Sequence, residues 1–307
     1  MVVKRRTAII AAMSIAATIA LILWKPTVLI YGLQAAGLYA AVAIPMGLVL
    51  GIVHIVNLSH GEFMMVAAYA AYSACKALGM DPLLAIIPTA IVTAIFGWVI
   101  FQLTIRRALK GPELNQLILT FGLAIAFTQT INLIFTSQTY KIPLDYVSAS
   151  MDIGDITFGT WSFVFVAVAI VYTYGLQFFL TKTTTGKAAL AVGQNPRGAA
   201  IVGIDVYRTY GLVFALAMAL VGAMGALFLT KSAIFPGVGT PFTMKSFCLI
   251  AMAGVGNIPG ILGASVLLGV AENFLRAFRP TRDWAEIVFF VLIIVVIVGR
   301  SLKGRKS

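Results

Sequence analysis

The sequence predicts an all-α, polytopic membrane protein, and three observations support this prediction. Of the 307 residues, 61% are hydrophobic and only 10% are charged, whereas a soluble domain averages about 25% charged residues. The mean hydropathy is +1.00, and apolar runs recur from end to end, many of them near the ~20 residues that a spanning helix needs. These runs are continuous rather than alternating, which excludes the pattern of a membrane β-barrel.

The apolar runs predict about 8–10 transmembrane helices in a single transmembrane domain, residues 1–307. The candidate spans cover residues 7–24, 28–56, 60–77, 82–105, 113–135, 161–180, 209–229, 244–256, 259–276 and 284–299. The first run follows three basic residues, as in a secretory signal peptide, but it exceeds the ~7–15 residues of a signal core and lacks a small-residue cleavage site. We therefore expect residues 1–27 to be retained as an extra amino-terminal span.

The excess of basic residues predicts the orientation of the chain. The 22 Lys and Arg residues outnumber the 10 Asp and Glu residues, for a net charge of +12, and cationic loops stay on the cytoplasmic side. With a cytoplasmic amino terminus and one crossing per run, 14 of the 22 cations fall in four cytoplasmic segments, including residues 181–208 and the carboxyl terminus. Lys245 and the group Arg276, Arg279 and Arg282 fall on the opposite side. Membrane topology therefore explains the positive net charge, and no nucleic-acid partner is needed to account for it.

A first broken helix is expected near Asn57, where polar residues separate two apolar flanks. Ser59 and Glu62 have the spacing of a capping box, in which the hydroxyl accepts from a backbone N–H and the carboxylate reaches back to the N–H of the cap. This pattern predicts that a helix begins near His60. Lipid cannot satisfy the free N–H groups of a helix start, so such a break faces protein or a water-filled path. Two interpretations stay open: direct contact with a solute, or capping and bracing alone.

A second broken helix is expected near Asn257, within Met252–Gly260. Asn is a good helix cap, Pro259 suits a first helical turn, and three glycines relax the backbone. Interrupted segments in both halves are typical of an internally repeated transporter with its path between the repeats. The candidate path residues are Asn57, Ser59, His60, Glu62, Asn257 and Pro259.

The longest cationic loop, residues 181–208, predicts two short helices. Lys187–Val192 is rich in helix formers, Asn195 and Pro196 interrupt it, and a second helical stretch begins at Arg197. The loop does not match a nucleotide-binding phosphate loop, because Thr181 and Ala188 replace the required Gly and Ser or Thr. It is either a docking surface for a partner or an ordinary solvated loop.

Four segments resemble the permease subunits of bacterial ABC importers of the branched-chain amino acid type, a family that also takes urea and short amides. The similarity covers about residues 28–300, the permease core, and its most specific part is the run from Asn57 to Glu62. Pro45 departs from the pattern and predicts a sharper interruption. The segments are GLYAAVAIPMGLVLGIVHIVNLSHGEFMMVAAYAAY (37–72), RRALKGPELNQLILTFGLA (106–124), GKAALAVGQNPRGAAIVGID (186–205) and MAGVGNIPGILGASVLLGVAE (252–272).

The resemblance implies a function and partners that composition could not give. It implies a multi-pass subunit of the bacterial inner membrane that works with a second homologous permease, two cytoplasmic ATPase subunits and a periplasmic solute-binding protein. ATP would be used by the partners, and this chain would bind no cofactor and no metal. Residues 181–208 would be the coupling loop seated in the ATPase surface, with Gly186, Lys187, Asn195, Pro196, Arg197 and Gly203 as its candidate residues.

Two alternatives remain at this stage. One is import of urea or short amides by the same mechanism. The other is a proton-coupled secondary transporter with Glu62, His60 and Glu272 as a relay, since ionisable groups inside a membrane are costly and usually functional. An enzyme is not expected, because His54 and His60 are the only histidines and no HExxH or nucleophile–base set accompanies them.

Overall fold

A computed structural model describes residues 26–153, 156–287, 289–291 and 293–294. The predicted first span, residues 7–24, lies outside the described residues, as does much of the last, residues 284–299. The described chain is an all-α bundle with one β-hairpin, which confirms the predicted fold class.

The helices follow the predicted apolar runs closely. Two of the long helices lengthen into π-helical turns. Pro26–Leu48 continues through Val49–Val53, and Ile86–Ile100 continues through Phe101–Ile105 into a last turn, Arg106–Ala108. One 3₁₀ turn, Asp145–Ser148, precedes the hairpin, and another, Arg279–Trp284, follows the last complete helix. The elements are α1 Pro26–Leu48, α2 His60–Leu78, α3 Ile86–Ile100, α4 Glu113–Phe135, β1 Ser150–Ile153, β2 Ile156–Gly159, α5 Ser162–Lys182, α6 Thr184–Gln194, α7 Pro196–Ile201, α8 Val206–Lys231, α9 Thr240–Ala253 and α10 Ile258–Arg276.

Six of the described helices are long and apolar enough to cross a membrane: α1 and α3 with their extensions, α4, α5, α8 and α10. Helices α2, with 19 residues, and α9, with 14, are outside this group of six, and each follows a long helix after an irregular segment. The helix that contains Pro45 continues to Val53, so the predicted interruption at Pro45 is wrong. The pyrrolidine ring of Pro45 is accommodated within this buried helix, and the backbone widens into π-helical turns a few residues later.

Contacts between distant segments define two ends of the bundle. At the hairpin end, the Tyr31 hydroxyl donates to the carbonyl of Thr157 at 3.0 Å, and Trp161 Nε1 donates to Thr230 Oγ1 at 2.9 Å. At the opposite end, α6 lies against the last turns of α1, where Gly193 approaches Ile52. We call these the hairpin end and the loop end.

The two halves of the bundle have the same arrangement in opposite directions. In each half a spanning helix (α1 or α8) is followed by a break, a helix that begins inside the bundle (α2 or α9) and another spanning helix (α3 or α10). Helix α1 packs against α10 of the other half, and α8 packs against α3. Because α1 runs toward the loop end and α8 runs toward the hairpin end, the halves form an inverted repeat, which matches the repeated organisation that the sequence indicates.

Besides residues 79–85 between α2 and α3, three irregular segments separate these helices. The breaks between Val53 and His60 and between Ala253 and Ile258 lie where the sequence predicts them. A third segment, residues 232–239 between α8 and α9, was not predicted as a break inside the bundle. As a result α9 begins at Thr240, earlier than expected, and Lys245 lies within this helix. The assignment of Lys245 to an outer loop is therefore wrong.

Candidate functional site

The amino-terminal ends of α2 and α9 meet inside the bundle. A β-carbon on Gly61 would collide with the carbonyl oxygen of Gly239, and one on Gly239 would collide with that of Gly61. The Gly61 N–H donates to Thr243 Oγ1 at 2.8 Å. Only glycine lets the two backbones approach so closely, so these positions fix α2 against α9.

The junction lies well inside the span of α1. His60 Nε2 is 2.8 Å from the carbonyl oxygen of Val42. Val42 precedes the end of the π-helical turns at Val53 by eleven residues, which at ~1.5 Å per residue corresponds to about 16 Å. Helix α2 therefore begins deep in the apolar region, and the chain between His54 and Ser59 returns from the loop end to reach it.

The predicted capping box is wrong in its contacts, although α2 does begin at His60. Ser59 makes no side-chain cap to the helix. Its hydroxyl instead donates to Asn57 Oδ1 at 2.7 Å, and its backbone N–H donates to the same oxygen at 3.1 Å. The side chain of Asn57 is close enough along the chain to compete for both donors of Ser59, so the reciprocal pair with Glu62 does not form.

Glu62 bonds to the other half of the molecule. Its carboxylate accepts from the Thr240 hydroxyl at 2.8 Å and from the Thr243 hydroxyl at 3.3 Å. Both threonines lie in the first turn of α9, and Glu62 is only 2% exposed. The carboxylate thus joins the two helix starts, where backbone N–H dipoles favour negative charge.

Helix α4 secures the irregular segment before α2. The Leu58 N–H donates to Thr120 Oγ1 at 3.2 Å, and the Thr120 hydroxyl lies 3.2 Å from the carbonyl of Val56. Two buried side-chain atoms nearby have no hydrogen-bond partner among the described residues: Asn57 Nδ2 and His60 Nδ1. The sequence did not identify Thr120, Thr240 or Thr243, because threonine is common in membrane helices and these contacts join distant positions.

A cavity of about 370 Å³ lies beside the junction. Its polar groups are Glu62, Thr240 and Thr243 together with Thr128 and Gln129 of α4. Apolar side chains form the rest of the wall: Leu58, Phe121, Ala124, Ile125 and Met244. The volume lies within the ~300–1,000 Å³ of small-molecule pockets, and mostly apolar walls with a few convergent polar groups are typical of them.

Asn257 and Pro259 lie elsewhere, at the loop end. Both residues are exposed, and Asn257 Oδ1 accepts from the Gly260 N–H at 3.0 Å as the predicted cap of α10. The neighbouring Gly256 lies close to Gly51 of the π-helical turns. The structure therefore brings together Asn57, Ser59, His60 and Glu62, and it separates them from Asn257 and Pro259.

Residues 181–208 form the two predicted short helices. Thr183 Oγ1 accepts from the Gly186 N–H at 3.0 Å to cap α6, and Asn195 Oδ1 accepts from the Gly198 N–H at 2.9 Å to cap α7. Gly186 is buried against the end of α5, whereas the other candidate residues are exposed: Lys187, Asn195, Pro196, Arg197 and Gly203. Most of the candidate residues are therefore accessible at the surface.

An apolar tip on this loop was missed by sequence reasoning. Ile201 is 86% exposed and Val202 is 75% exposed, at the end of α7. The opposite side of the loop is packed, since Ala189 and Val192 of α6 are buried. Exposed apolar groups beside cations are typical of a protein–protein contact.

A cluster of charged side chains lies on the face of α9 opposite the threonines that contact Glu62. Lys245 Nζ is 3.0 Å from Glu272 Oε2 and 2.9 Å from the Tyr39 hydroxyl, and Arg276 NH2 is 2.5 Å from Glu272 Oε1. Tyr39 also donates to Glu272 Oε2 at 2.8 Å. Within the described residues, His60 bonds to Val42 and Glu272 bonds to this cluster, so the described contacts do not join Glu62, His60 and Glu272 in a proton relay.

The described residues contain no group of three or more His, Cys, Asp or Glu side chains arranged to hold a metal ion. The polar groups of the cavity are suited to binding a small polar or charged solute.

Comparison with known proteins identifies relatives along nearly the whole chain. Residues 28–297 match the family described as "Branched-chain amino acid transport system / permease component". BraD of Pseudomonas aeruginosa, a high-affinity branched-chain amino acid transport system permease protein, is 28% identical over 90% of this chain and 95% of its own length. LivH of Escherichia coli, with the same description, is 26% identical over 87% and 91%. The fructose import permease protein FrcC of Rhizobium meliloti is 25% identical over 79% and 69%. No solved structure matches significantly.

Proposed function

Because the chain belongs to the family of permease components of branched-chain amino acid transport systems, we propose that it is the membrane-spanning subunit of a binding-protein-dependent ABC importer. We propose branched-chain or related amino acids as its solutes. The observation that carries this proposal is the meeting of α2 and α9 inside the bundle, beside a cavity that opens along α4.

The irregular backbone at Asn57 supports a solute path there. Free backbone groups are tolerated at membrane depth only where protein or a water-filled cavity surrounds them. On this proposal Glu62 contacts the solute, and Asn57, Ser59 and His60 brace the helix start. Asn257 and Pro259 shape the turn at the loop end, which the solute passes before it reaches the cytoplasm.

The exposed face of α4 supports pairing with a second, homologous permease. Phe121 and Ile125 are about half exposed along this face, and Gln129 lines the cavity from the same helix. An exposed amide within a membrane helix is costly against lipid and is more stable against another helix or a path. The open side of the cavity then faces the partner, and the solute moves between the two chains.

The loop from 181 to 208 is proposed to dock on a cytoplasmic ATPase. Its apolar tip, Ile201 and Val202, and the exposed cations Lys187 and Arg197 form a surface of mixed character that suits a partner. ATP is bound by that partner and not by this chain. Helix α6 lies against Ile52, directly before the break that leads to α2. Movement of the loop can therefore reach the junction through packed groups.

Charge supports the proposed orientation in the bacterial inner membrane. The loop end carries Arg106, Arg107 and Lys110 as well as the cations of the coupling loop, and such loops remain in the cytoplasm. The hairpin end then faces the periplasm, where a loaded binding protein docks. Both chain termini are cytoplasmic on this assignment.

Uptake assays test this proposal. Cells that lack the chain should lose uptake of radiolabelled L-leucine, L-isoleucine or L-valine and recover it with the wild-type chain. When the chain is purified from native membranes, two ATPase subunits and a second permease should copurify with it. Proton-driven uptake by the purified chain alone in proteoliposomes would contradict the ABC mechanism. Loss of urea or acetamide uptake alone would instead favour the amide solutes.

A further inference from the structure

Glu62 and Glu272 are two buried carboxylates inside the described bundle, and their surroundings differ. Glu272 is 1% exposed and is paired with both Lys245 and Arg276. Glu62 is 2% exposed and, among the described residues, its partners are the hydroxyls of Thr240 and Thr243. One buried carboxylate is therefore compensated by cations of the chain, and the other receives only neutral donors.

A buried carboxylate without a cation is unusual in an apolar environment. Removal of an ionised group from water costs far more than removal of a neutral one, so buried charges are normally paired. The helix starts at His60 and Thr240 supply partial positive charge, which supports the carboxylate but does not neutralise it. A cation bound beside Glu62 would supply the full positive charge that compensates the ionised carboxylate.

The cavity next to Glu62 has room for the group that would supply this charge. Glu62 forms part of its wall, and Phe121, Ile125 and Met244 form apolar parts of the same wall. A solute that suits this cavity has a cationic head and an aliphatic body. A free α-amino acid with a hydrocarbon side chain meets both requirements, whereas urea, amides and sugars carry no cation.

On these grounds we propose that Glu62 binds the α-ammonium group of the amino acid as it passes along the solute path. This inference rests on the proposed function, since it requires the cavity to be the path. The carboxylate accepts hydrogen bonds from the ammonium while Thr240 and Thr243 hold it in place. The apolar wall contacts the side chain of the solute.

Two substitutions of Glu62 test the charge. Glu62→Gln keeps the shape and one acceptor for the threonines but removes the negative charge. Uptake of radiolabelled L-leucine should fall at least about tenfold, because removal of one partner of a buried charge pair costs that much or more. Glu62→Asp keeps the charge at a shorter reach and should recover part of the uptake that the Gln variant loses. The affinity of the periplasmic binding protein for leucine should not change in either case.

A matched pair of lysines tests the same idea without altering Glu62. Gln129→Lys adds a cation to the cavity wall, where its ammonium can pair with Glu62 in place of that of the solute, and should reduce leucine uptake at least about tenfold. Leu78→Lys adds the same charge far from the cavity, at a 73% exposed position of the hairpin end, and should leave uptake within about twofold. If Glu62→Gln fails to assemble, this pair decides the question.

The outcomes separate the inference from the function on which it rests. Loss of uptake in Glu62→Gln and Gln129→Lys, with recovery in Glu62→Asp, supports the ammonium site. Wild-type uptake in both Glu62→Gln and Gln129→Lys overturns it. When both variants have wild-type uptake, Ala124→Trp distinguishes two explanations. If Ala124→Trp blocks uptake, the proposed path is correct and only the role of Glu62 is wrong. If Ala124→Trp has wild-type uptake as well, the proposed path is wrong.

Discussion

Lys245 Nζ lies 3.0 Å from Oε2 of Glu272, and this ion pair joins the short helix α9 to α10 inside the bundle. The side chain of Lys245 is 13% exposed and that of Glu272 is 1% exposed. The pair fixes one face of α9, while the opposite face carries the threonines that contact Glu62. The position of the proposed solute site therefore depends on a charged cluster that the solute need not touch.

Replacement of Glu272 by Gln should destabilise the protein strongly. It leaves Lys245 and Arg276 without their anion, and breaking a buried pair costs roughly 3–5 kcal/mol. Thermal unfolding in detergent measures this change. Glu286→Gln removes an exposed carboxylate and should have little effect. The double variant Lys245→Met, Glu272→Leu should regain part of the lost stability, because it also removes the buried cation and leaves only Arg276, whose side chain is 46% exposed to solvent. Equal stability of Glu272→Gln and wild type would contradict the role of the pair.

Substitution of Gly61 by Ala should separate α2 from α9. The added methyl group would collide with the backbone at Gly239, and backbone cannot move aside as a flexible side chain can. We expect lower thermal stability and loss of leucine uptake. Gly175→Ala is the matched control, because a β-carbon there meets nothing within 4 Å, and alanine is favoured over glycine in a helix by about 1 kcal/mol. Normal uptake by Gly61→Ala would show that the close approach is not required.

Charge reversal at Arg197 should uncouple the chain from its proposed ATPase. Arg197 is exposed at the start of α7, so Arg197→Glu should fold normally yet lose copurification with the ATPase and lose uptake. Ile201→Asp should act in the same way through the apolar tip. Leu78→Asp places the same charge at a 73% exposed position of the hairpin end and should retain the ATPase. Wild-type uptake by Arg197→Glu would refute the docking role.

A pH-dependent contact lies outside the membrane spans, between Tyr146 and Asp81. The phenol donates to the two carboxylate oxygens at 2.8 and 2.9 Å. Burial raises the pKa of the Tyr146 phenol, and its hydrogen bond to Asp81 and the negative charge there raise that pKa further. A raised pKa in the folded state means that the contact stabilises fully below the unfolded value, near ~10, and is lost as pH rises toward the folded value.

Tyr146→Phe should therefore lower the free energy of unfolding by about 1 kcal/mol at neutral pH. The difference from wild type should stay constant between about pH 6 and 9 and shrink above about pH 10. Thermal unfolding of both proteins across this range measures it. A difference that grows at alkaline pH would have the wrong sign for this contact.

Local patterns in the sequence predict much of the fold but few of the contacts at the junction. The two helices on either side of Asn195 and Pro196 follow from capping residues and proline within a few positions. The start of α2 at His60 is where the sequence predicts it, but no side chain of Ser59 caps it. The capping box failed because Asn57 competes for Ser59, which depends on the local backbone path. The break at residues 232–239 escaped prediction because it carries one proline and no charge pattern. The contact of Thr243 with Glu62 joins residues 181 positions apart, and no local pattern indicates it.

On the proposed function, amino acids cross the membrane through the cavity beside Glu62. The rate of radiolabelled L-leucine uptake by cells whose only copy of the chain carries Ala124→Trp tests this path directly. The substitution places a bulky ring in the cavity wall, and Leu78→Trp adds the same bulk at a 73% exposed position of the hairpin end. We expect Ala124→Trp to abolish uptake and Leu78→Trp to support it. Wild-type uptake by Ala124→Trp, at equal expression, would contradict the proposed path.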